Sequence, residues 1–554
     1  SFITLIMDSN NLMNRLSAPR PASNLDYWIA AAVALGFFLV GFFSIHNYGL
    51  TIDELENFVV GERYLAYFKT GDASVLDMRQ EMPEYDHPDG LQLRLLDSDV
   101  HPPLPSILAA ITDRFFHDWL KVLDPIDARH MAIVLMAAAT LSATYLFAQE
   151  AFGRALAVLA VVLLALHPRF YAHAHYNLKD IPKTLFFVLS LWTFWRGAVF
   201  QKPVSILLAA FFLGMGVSVR PNLVLAAVVG LIWVIFVYRW VLADRGVLLA
   251  ILAVPVVAAA GFCLAWPAMW FSPINTLKTL WEYWVQLGVS NRSSWTLYPW
   301  LLIAYSMPMI TLVGLTLGAA ATLRRWKSDR FRTLLLIWLW FSIPLMRVSM
   351  PGMTIYDGIR HFLEVIPALS ILAALGLGEM AWLISQLTGL DLKKLMYASV
   401  VLVALPLFWQ NERFAPFGIA YFNPLIGGLQ GAQSIGIQEA TDYWGSSYRQ
   451  GYAWLNKRAK PGEFLYLPEG HQYLAQAIHG LWLDENIPLV TGYETSSAPV
   501  YVMHITRSIM YTHIDRYSQQ HLDPVYEIRV DNAAVLQIFY LTPEIWNKAV
   551  NSAS

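Results

Sequence analysis

Apolar runs long enough to cross a lipid bilayer recur along this chain, and they limit its fold more than any other feature. A spanning helix needs about 20 mostly apolar residues. Runs of this kind lie near 27–45, 128–149, 154–167, 182–199, 204–219, 222–238, 246–266, 299–322, 332–348, 361–384 and 395–410. In lipid the backbone must satisfy its own hydrogen bonds, so each run is expected to be a helix. Composition agrees. Of 554 residues, 56% are hydrophobic and 14% charged, where a soluble domain carries about a quarter charged. The expected fold is therefore mostly α: a polytopic membrane protein with about eleven transmembrane helices.

Basic residues set the orientation. Arg15 and Arg20 precede the first run. Arg154, Arg196 with Lys202, Arg239 with Arg245, the cluster from Arg324 to Arg332, and Lys393 with Lys394 all fall on that same side. Residues 1–26 are then a cytoplasmic N-terminus and 27–410 the transmembrane domain, with outer loops 46–127 and 267–298. Residues 411–554 become an extracytoplasmic C-terminal domain. Its hydropathy falls, and it reads as small and α/β: a helix near 444–459, then strands in "GEFLYLPEG", "APVYVMHITR" and "AAVLQIFYL". Nothing before residue 27 has the basic, apolar and small-residue order of a cleavable signal, so the first run is expected to stay as an anchor. A net charge of −2 leaves no basic excess for nucleic acid. A single cysteine, Cys263, rules out an intramolecular disulfide and argues against a thiolate metal site.

Polar residues collect in the outer loops. Between Asn47 and His101 there are twelve Asp or Glu against four Lys or Arg. "YGLTIDELENFVVGERYLAYF", residues 48–68, places Asp53 and Glu54 just where the first run ends. Two roles fit them. A carboxylate within reach of a hydroxyl can act as general base, with partial burial raising its proton affinity. Equally, Thr51 or Asp53 can cap a helix over 54–68, with Glu54 and Glu56 favouring its dipole. In "DSDVHPPLPSILAAI", residues 97–111, Pro102, Pro103 and Pro105 mark the start of a short surface helix with His101 at its entrance.

The order of these pieces resembles the membrane-embedded GT-C glycosyltransferases, in particular the bacterial members of the protein O-mannosyltransferase and aminoarabinose-transferase branch. The Asp-Glu pair follows the first span, and Asp-x-His-Pro-Pro-Leu, residues 99–104, opens a surface helix before the second. "HPRFYAHAHYNLKDIPKTLFF", residues 167–187, resembles the branch's loop between its third and fourth spans. "GIRHFLEVIPALSILAALGL", residues 358–377, resembles its Arg-led late span. The likeness covers roughly 25–410; "YFNPLIGGLQGA" and "DYWGSSYRQGYAWLN" extend it into the tail.

That resemblance implies a polyprenyl-phosphate-linked sugar as donor and transfer, with inversion, to an acceptor hydroxyl or amine on a lipid, glycan or protein. The active site would face outward from a bacterial plasma (inner) membrane. Asp53 matches the catalytic aspartate that deprotonates the acceptor, Glu54 the supporting position, and His101 the histidine lining the site. After His-Pro-Pro-Leu this chain continues "PSIL", without the basic residue often found two positions beyond the leucine, so a donor contact from that helix is in doubt.

Chemistry adds its own demand. A departing lipid phosphate needs cations where negative charge develops. Arg360, Arg220, Lys179 and Arg347 lie near outer ends of spans, with Arg360 the first choice because it opens an apolar span beside His361. The alternative for Lys179 is a simple pair with Asp180. Trp270, Trp284, Trp295 and Tyr298 in the 267–298 loop would contact acceptor or sugar, or else form an interfacial aromatic belt. No metal or other cofactor is required by this reading; a divalent ion held by His173, His175, His101, His87 and Asp86 is the alternative. "PLIGGLQGA" lacks a phosphate-loop lysine and is not a nucleotide site. Membrane lipids are obligatory partners, and the tail is a place where a partner protein would dock. The competing classes are a lipid or sugar transporter or flippase, and a noncatalytic assembly subunit that kept the fold. Transporters show repeats and broken helices around a midplane site, whereas here polar residues gather at the outer face.

Overall fold

A computed structural model describes residues 18–76, 102–241, 244–287, 290–328, 330–468 and 470–553. The chain is mostly helical with one small sheet near its C-terminal end. Among the described residues, six helices are long and apolar enough to cross a membrane: Asn24–Asn47, Pro125–Phe152, Arg245–Ala265, Phe331–Ser349, Val365–Thr388 and Leu392–Phe414. Counting each of two bent pairs as one span gives up to eight, where the sequence suggests about eleven. The difference lies in the runs at 182–199, 204–219 and 222–238. The first forms the helix Asp180–Val199, which carries Asp180, Lys183 and Arg196 and is not among the six, and the other two are short. Proline bends two of the runs that do count. The run at 154–167 ends at Ala165, and the chain turns 67° into Pro168–Tyr176. The run at 299–322 divides into Tyr298–Ser306 and Met309–Arg324, bent by 119° at Pro308. A proline has no N–H to continue a helix and disfavours helical geometry at the residue before it. Two further apolar helices, Pro203–Val217 and Pro221–Val237, are shorter than a full span.

Two compact units divide the chain: Ser1–Val40, Val100–Leu104 and Val134–Glu412 form one, and Gly41–Asp99, Pro105–Ile133 and Arg413–Ser554 the other. The first is a helical bundle whose helices touch backbone to backbone. A Cβ on Gly376 would stand 1.9 Å from the Gly314 carbonyl oxygen, and one on Gly214 would stand 1.9 Å from that of Ala258. Small residues permit this approach, and between lipid-embedded helices packing replaces the hydrophobic drive.

The second unit holds the helices Glu54–Thr70 and Leu104–Asp113 together with the sheet. Arg129 is fully buried and ties them together, pairing with Glu62 at 2.7 Å and Asp113 at 2.6 Å. The sheet has the order β1-β2-β4-β3, with β1 Phe464–Tyr466, β2 Val500–Ile505, β3 Tyr526–Val530 and β4 Ala533–Leu541. β1 runs parallel to β2; the other neighbours are antiparallel. β1, β2 and β4 are the three strands expected from sequence, and β3 is additional. Asp531 and Asn532 join β3 to β4 with φ of 48° and 63°, the left-handed pair that a two-residue hairpin demands. Tyr466, Val502, Phe539 and Trp546 form the core on one face. The helix expected near 444–459 is confined to Tyr448–Leu455, and the 267–298 loop contains the helix Pro273–Leu287.

Candidate active site

The segment before Glu54–Thr70 is fixed from both sides within its unit. Asp53 occupies the N-cap position, but its side chain makes no capping hydrogen bond. The tie comes from Glu54 instead: its Oε2 accepts from the Thr51 N–H at 2.6 Å and from the Thr51 hydroxyl at 2.9 Å. Glu54 Oε1 lies 2.8 Å from His130 Nε2, and both side chains are buried. A buried carboxylate needs such partners, and with them Glu54 is committed to holding the turn. Asp53, by contrast, is half-buried. The two adjacent carboxylates therefore occupy different environments, one enclosed and one reachable.

The C-terminal segment supplies the other side. The Ile52 N–H donates to the Trp444 carbonyl at 3.1 Å, and the Tyr473 hydroxyl donates to the Ile52 carbonyl at 2.7 Å. Gly49 N–H donates to Ser446 Oγ at 3.0 Å, and a Cβ on Gly49 would stand 2.2 Å from the Ser446 carbonyl oxygen. Arg449 reaches the Tyr48 carbonyl at 2.8 Å, grips both oxygens of Asp127 at 2.6 and 3.0 Å, and lies over the Trp482 ring at 3.9 Å. Burial, then the Asp53 and Glu56 carboxylates, push the Tyr473 hydroxyl pKa upward, so it stays a donor beside Asp53. Sequence reasoning missed Tyr473, Ser446 and Arg449. Each lies about four hundred residues from its partner, and no local motif announces that distance.

The cations expected to meet phosphate belong to the helical bundle. There, "YNLKD" forms an asparagine turn: Asn177 Oδ1 accepts from the Asp180 N–H at 2.8 Å, and Asn177 Nδ2 donates to Asp180 Oδ2 at 3.1 Å. Asp180 so oriented pairs with Lys183 at 3.4 Å and with Arg220 Nε at 3.5 Å. Lys183, which sequence reasoning passed over, is fully buried; it pairs with Glu364 at 2.7 Å and contacts the Arg360 carbonyl at 3.3 Å. Lys183, one helical turn on, is a lysine partner of Asp180, and Lys179 stands half-buried at the start of that helix. Arg360 is 4% exposed, pairs with Asp357 at 3.0 Å and lies over the Tyr356 ring at 4.7 Å. Arg220 keeps about a fifth of its side chain exposed (21%), and its Nε lies 3.5 Å from Asp180. Arg347 is half-buried on the helix Phe331–Ser349.

The remaining expected residues divide by position. His101, with His87 and Asp86, lies outside the described residues, as does the side chain of Trp284. Trp270 and Trp295 are exposed, Trp270 donating to the Cys263 carbonyl at 2.7 Å. Tyr298 is half-buried at the start of Tyr298–Ser306. His173 Nδ1 is 3.0 Å from Asn177 Nδ2, and His175 Nδ1 is 2.7 Å from the Tyr171 carbonyl. Among the described residues, no group of three or more His, Cys, Asp or Glu is arranged to hold a metal ion.

Residues 100–266 match the family described as dolichyl-phosphate-mannose-protein mannosyltransferase. No curated protein matches the chain in sequence. Among solved structures it is similar to ArnT from Cupriavidus metallidurans in the apo state, at 15% identity over 93% of this chain and 98% of that one, with a TM-score of 0.51. ArnT bound to undecaprenyl phosphate gives 16% identity over the same shares and a TM-score of 0.48. Arabinofuranosyltransferase AftD from Mycobacteria gives 14% identity over 95% of this chain and 40% of that one, with a TM-score of 0.47.

Proposed function

We propose that this chain, a GT-C membrane glycosyltransferase by family match and fold, moves one sugar from a polyprenyl-phosphate carrier to an acceptor hydroxyl or amine, with Asp53 as the general base. The observation carrying the assignment is the contrast between two neighbouring carboxylates. Glu54 is enclosed and fully used by Thr51 and His130, while Asp53 is reachable and makes no cap. A base must meet its proton within hydrogen-bond reach, and the tail's grip on residues 48–52 holds Asp53 in place for that. Attack by the acceptor oxygen or nitrogen on the anomeric carbon breaks the bond to phosphate and inverts that centre. The proton goes to Asp53, and the lipid phosphate leaves with the bond's electron pair.

The donor class follows from the matched family, whose description names a dolichyl-phosphate sugar. The departing phosphate calls for a cation within its reach. Arg220 suits that role best, since its side chain is 21% exposed and its Nε lies 3.5 Å from Asp180, whereas Arg360 and Lys183 are buried against carboxylates at 3.0 and 2.7 Å. An outward-facing site in a bacterial inner membrane, and a lipid, glycan or protein acceptor, complete the reading.

The test is sugar release from a panel of polyprenyl-phosphate sugars by the purified protein beside Asp53→Asn. Turnover is expected to fall at least a hundredfold, in line with the roughly 10²–10⁴ contribution of general-base catalysis, with unchanged melting. Turnover retained by Asp53→Asn removes the base assignment. No release from any donor, with native lipids and acceptors present, favours transport or assembly.

A further inference from the structure

The C-terminal sheet carries an open cleft of about 330 Å³ on the side of β4 that faces residues 433–440 and 506–519. None of its lining residues belongs to 48–54, and the proposed transfer does not use it. Eleven residues line it, and none is Asp, Glu, Lys or Arg. Four are glutamines: Gln433, Gln438, Gln519 and Gln537. Thr506, Ser508 and Tyr511 add hydroxyls.

The amides are set in fixed directions by groups behind them. Gln433 Nε2 donates to the Ala440 carbonyl at 2.9 Å and the Ala534 carbonyl at 3.0 Å. Both its hydrogens are used, which leaves its carbonyl oxygen to accept. Gln519 Nε2 contacts His504 Nε2 at 3.0 Å and Gln537 Oε1, so its carbonyl oxygen is likewise left over. Gln537 Nε2 in turn donates to Glu527 Oε1 at 2.5 Å. The chain is anchored from beneath: His504 Nδ1 meets Asp515 Oδ1 at 2.9 Å, and both side chains are fully buried. An imidazole held this way by a carboxylate presents its other nitrogen in one orientation. Asp515 also closes the capping box with Thr512 at the start of His513–His521, so the same anchored helix start that fixes His504 fixes the direction of the Gln519 amide. The Tyr511 ring packs on His504 at 4.6 Å and adds an aromatic face.

We propose that this cleft binds a neutral saccharide. Its lining offers the oriented carbonyl oxygens of Gln433 and Gln519 as acceptors, the Gln438 amide, and the Ser508 and Tyr511 hydroxyls, which match the several O–H groups of a sugar ring; the tyrosine face suits the ring's C–H surface. Specificity of this kind comes from a few well-placed polar groups. A charged ligand would lose its hydration without gaining a counter-charge. The volume suits a mono- or disaccharide. This inference stands independently of the transfer reaction proposed above.

The experiment titrates the full-length protein in nanodiscs with mannose, N-acetylglucosamine and maltose, and with glucuronate as charged control, by saturation-transfer NMR and calorimetry. At least one neutral sugar is expected to bind saturably, with glucuronate at least tenfold weaker. Gln519→Leu and Gln433→Leu should weaken binding tenfold or more. Gln438→Ala, at an exposed position, should weaken it measurably without touching the fold. Asp53→Asn should leave it unchanged. Absence of saturable binding by all three neutral sugars overturns the proposal. So does binding that survives every glutamine substitution, or that is lost in Asp53→Asn instead.

Discussion

The Tyr473 hydroxyl donates a 2.7 Å hydrogen bond to the carbonyl of Ile52, the residue before Asp53. One side chain from the tail thus fixes the peptide that aims the proposed base. A neutral hydrogen bond contributes about 0.5–1.5 kcal/mol, or roughly three- to tenfold in rate if it acts on geometry. Tyr473→Phe is therefore expected to lower kcat by about that factor, with donor KM and melting temperature close to wild type. An unchanged kcat would remove Tyr473 from the positioning machinery.

Glu54 and His130 form a buried pair, and its removal should register in stability first. Taking away one partner of a buried pair costs about 3–5 kcal/mol. Glu54→Ala also frees the Thr51 N–H and hydroxyl. Glu54→Gln keeps an acceptor for Thr51 and should cost less. Thermal unfolding in detergent checks the order; equal melting of Glu54→Ala and wild type would contradict it.

Within the helical bundle, Arg220 and Lys183 should separate cleanly. Arg220→Ala leaves Asp180 its partner Lys183, and the loss of a charge-assisted bond of about 1.5–3 kcal/mol should raise the donor KM tenfold or more. Lys183→Met takes the cation from buried Glu364 and leaves Asp180 only Arg220 of the two cations described above, so it should destabilise by about 3–5 kcal/mol. Arg360→Ala is the control: a larger effect on donor KM from Arg360 than from Arg220 would return the phosphate role to Arg360.

What could be read from sequence was what repeats locally. Apolar runs announced a helical membrane protein, and proline after His101 announced the helix Leu104–Asp113. The count of spans was not legible, because hydropathy gives the runs at 182–199, 204–219 and 222–238 the weight of full spans, whereas Asp180–Val199 carries Asp180, Lys183 and Arg196, and Pro203–Val217 and Pro221–Val237 are too short. β3 was missed because "YEIRV" carries two charges in five residues, as suits its place at the edge of the sheet; the Asp531-Asn532 turn was the available signal. Asp53 and Glu54 were found as a pair. Their division of labour depends on His130, Trp444 and Tyr473, which no spacing connects to them.

Stability of the C-terminal region should depend on pH through His471. Its side chain is fully buried, with Nδ1 2.7 Å from the Tyr448 hydroxyl. Burial, then the Arg507 charge, lower its pKa to about 4, against about 6.5 in an unfolded chain. The folded state thus favours neutral imidazole. Above pH 6.5 both states are unprotonated and nothing is lost. As pH falls from 6.5 toward 4, the unfolded chain takes up a proton that the folded one refuses, so stability declines across that window. The upper limit is about 3 kcal/mol at 1.36 kcal/mol per pKa unit. Asp442, whose carboxyl burial raises, has the opposite slope, so the comparison must be with His471→Gln. Denaturant unfolding of both proteins from pH 7 to 4 is expected to show the wild type losing stability faster than the variant. Parallel curves would show that His471 carries no such linkage.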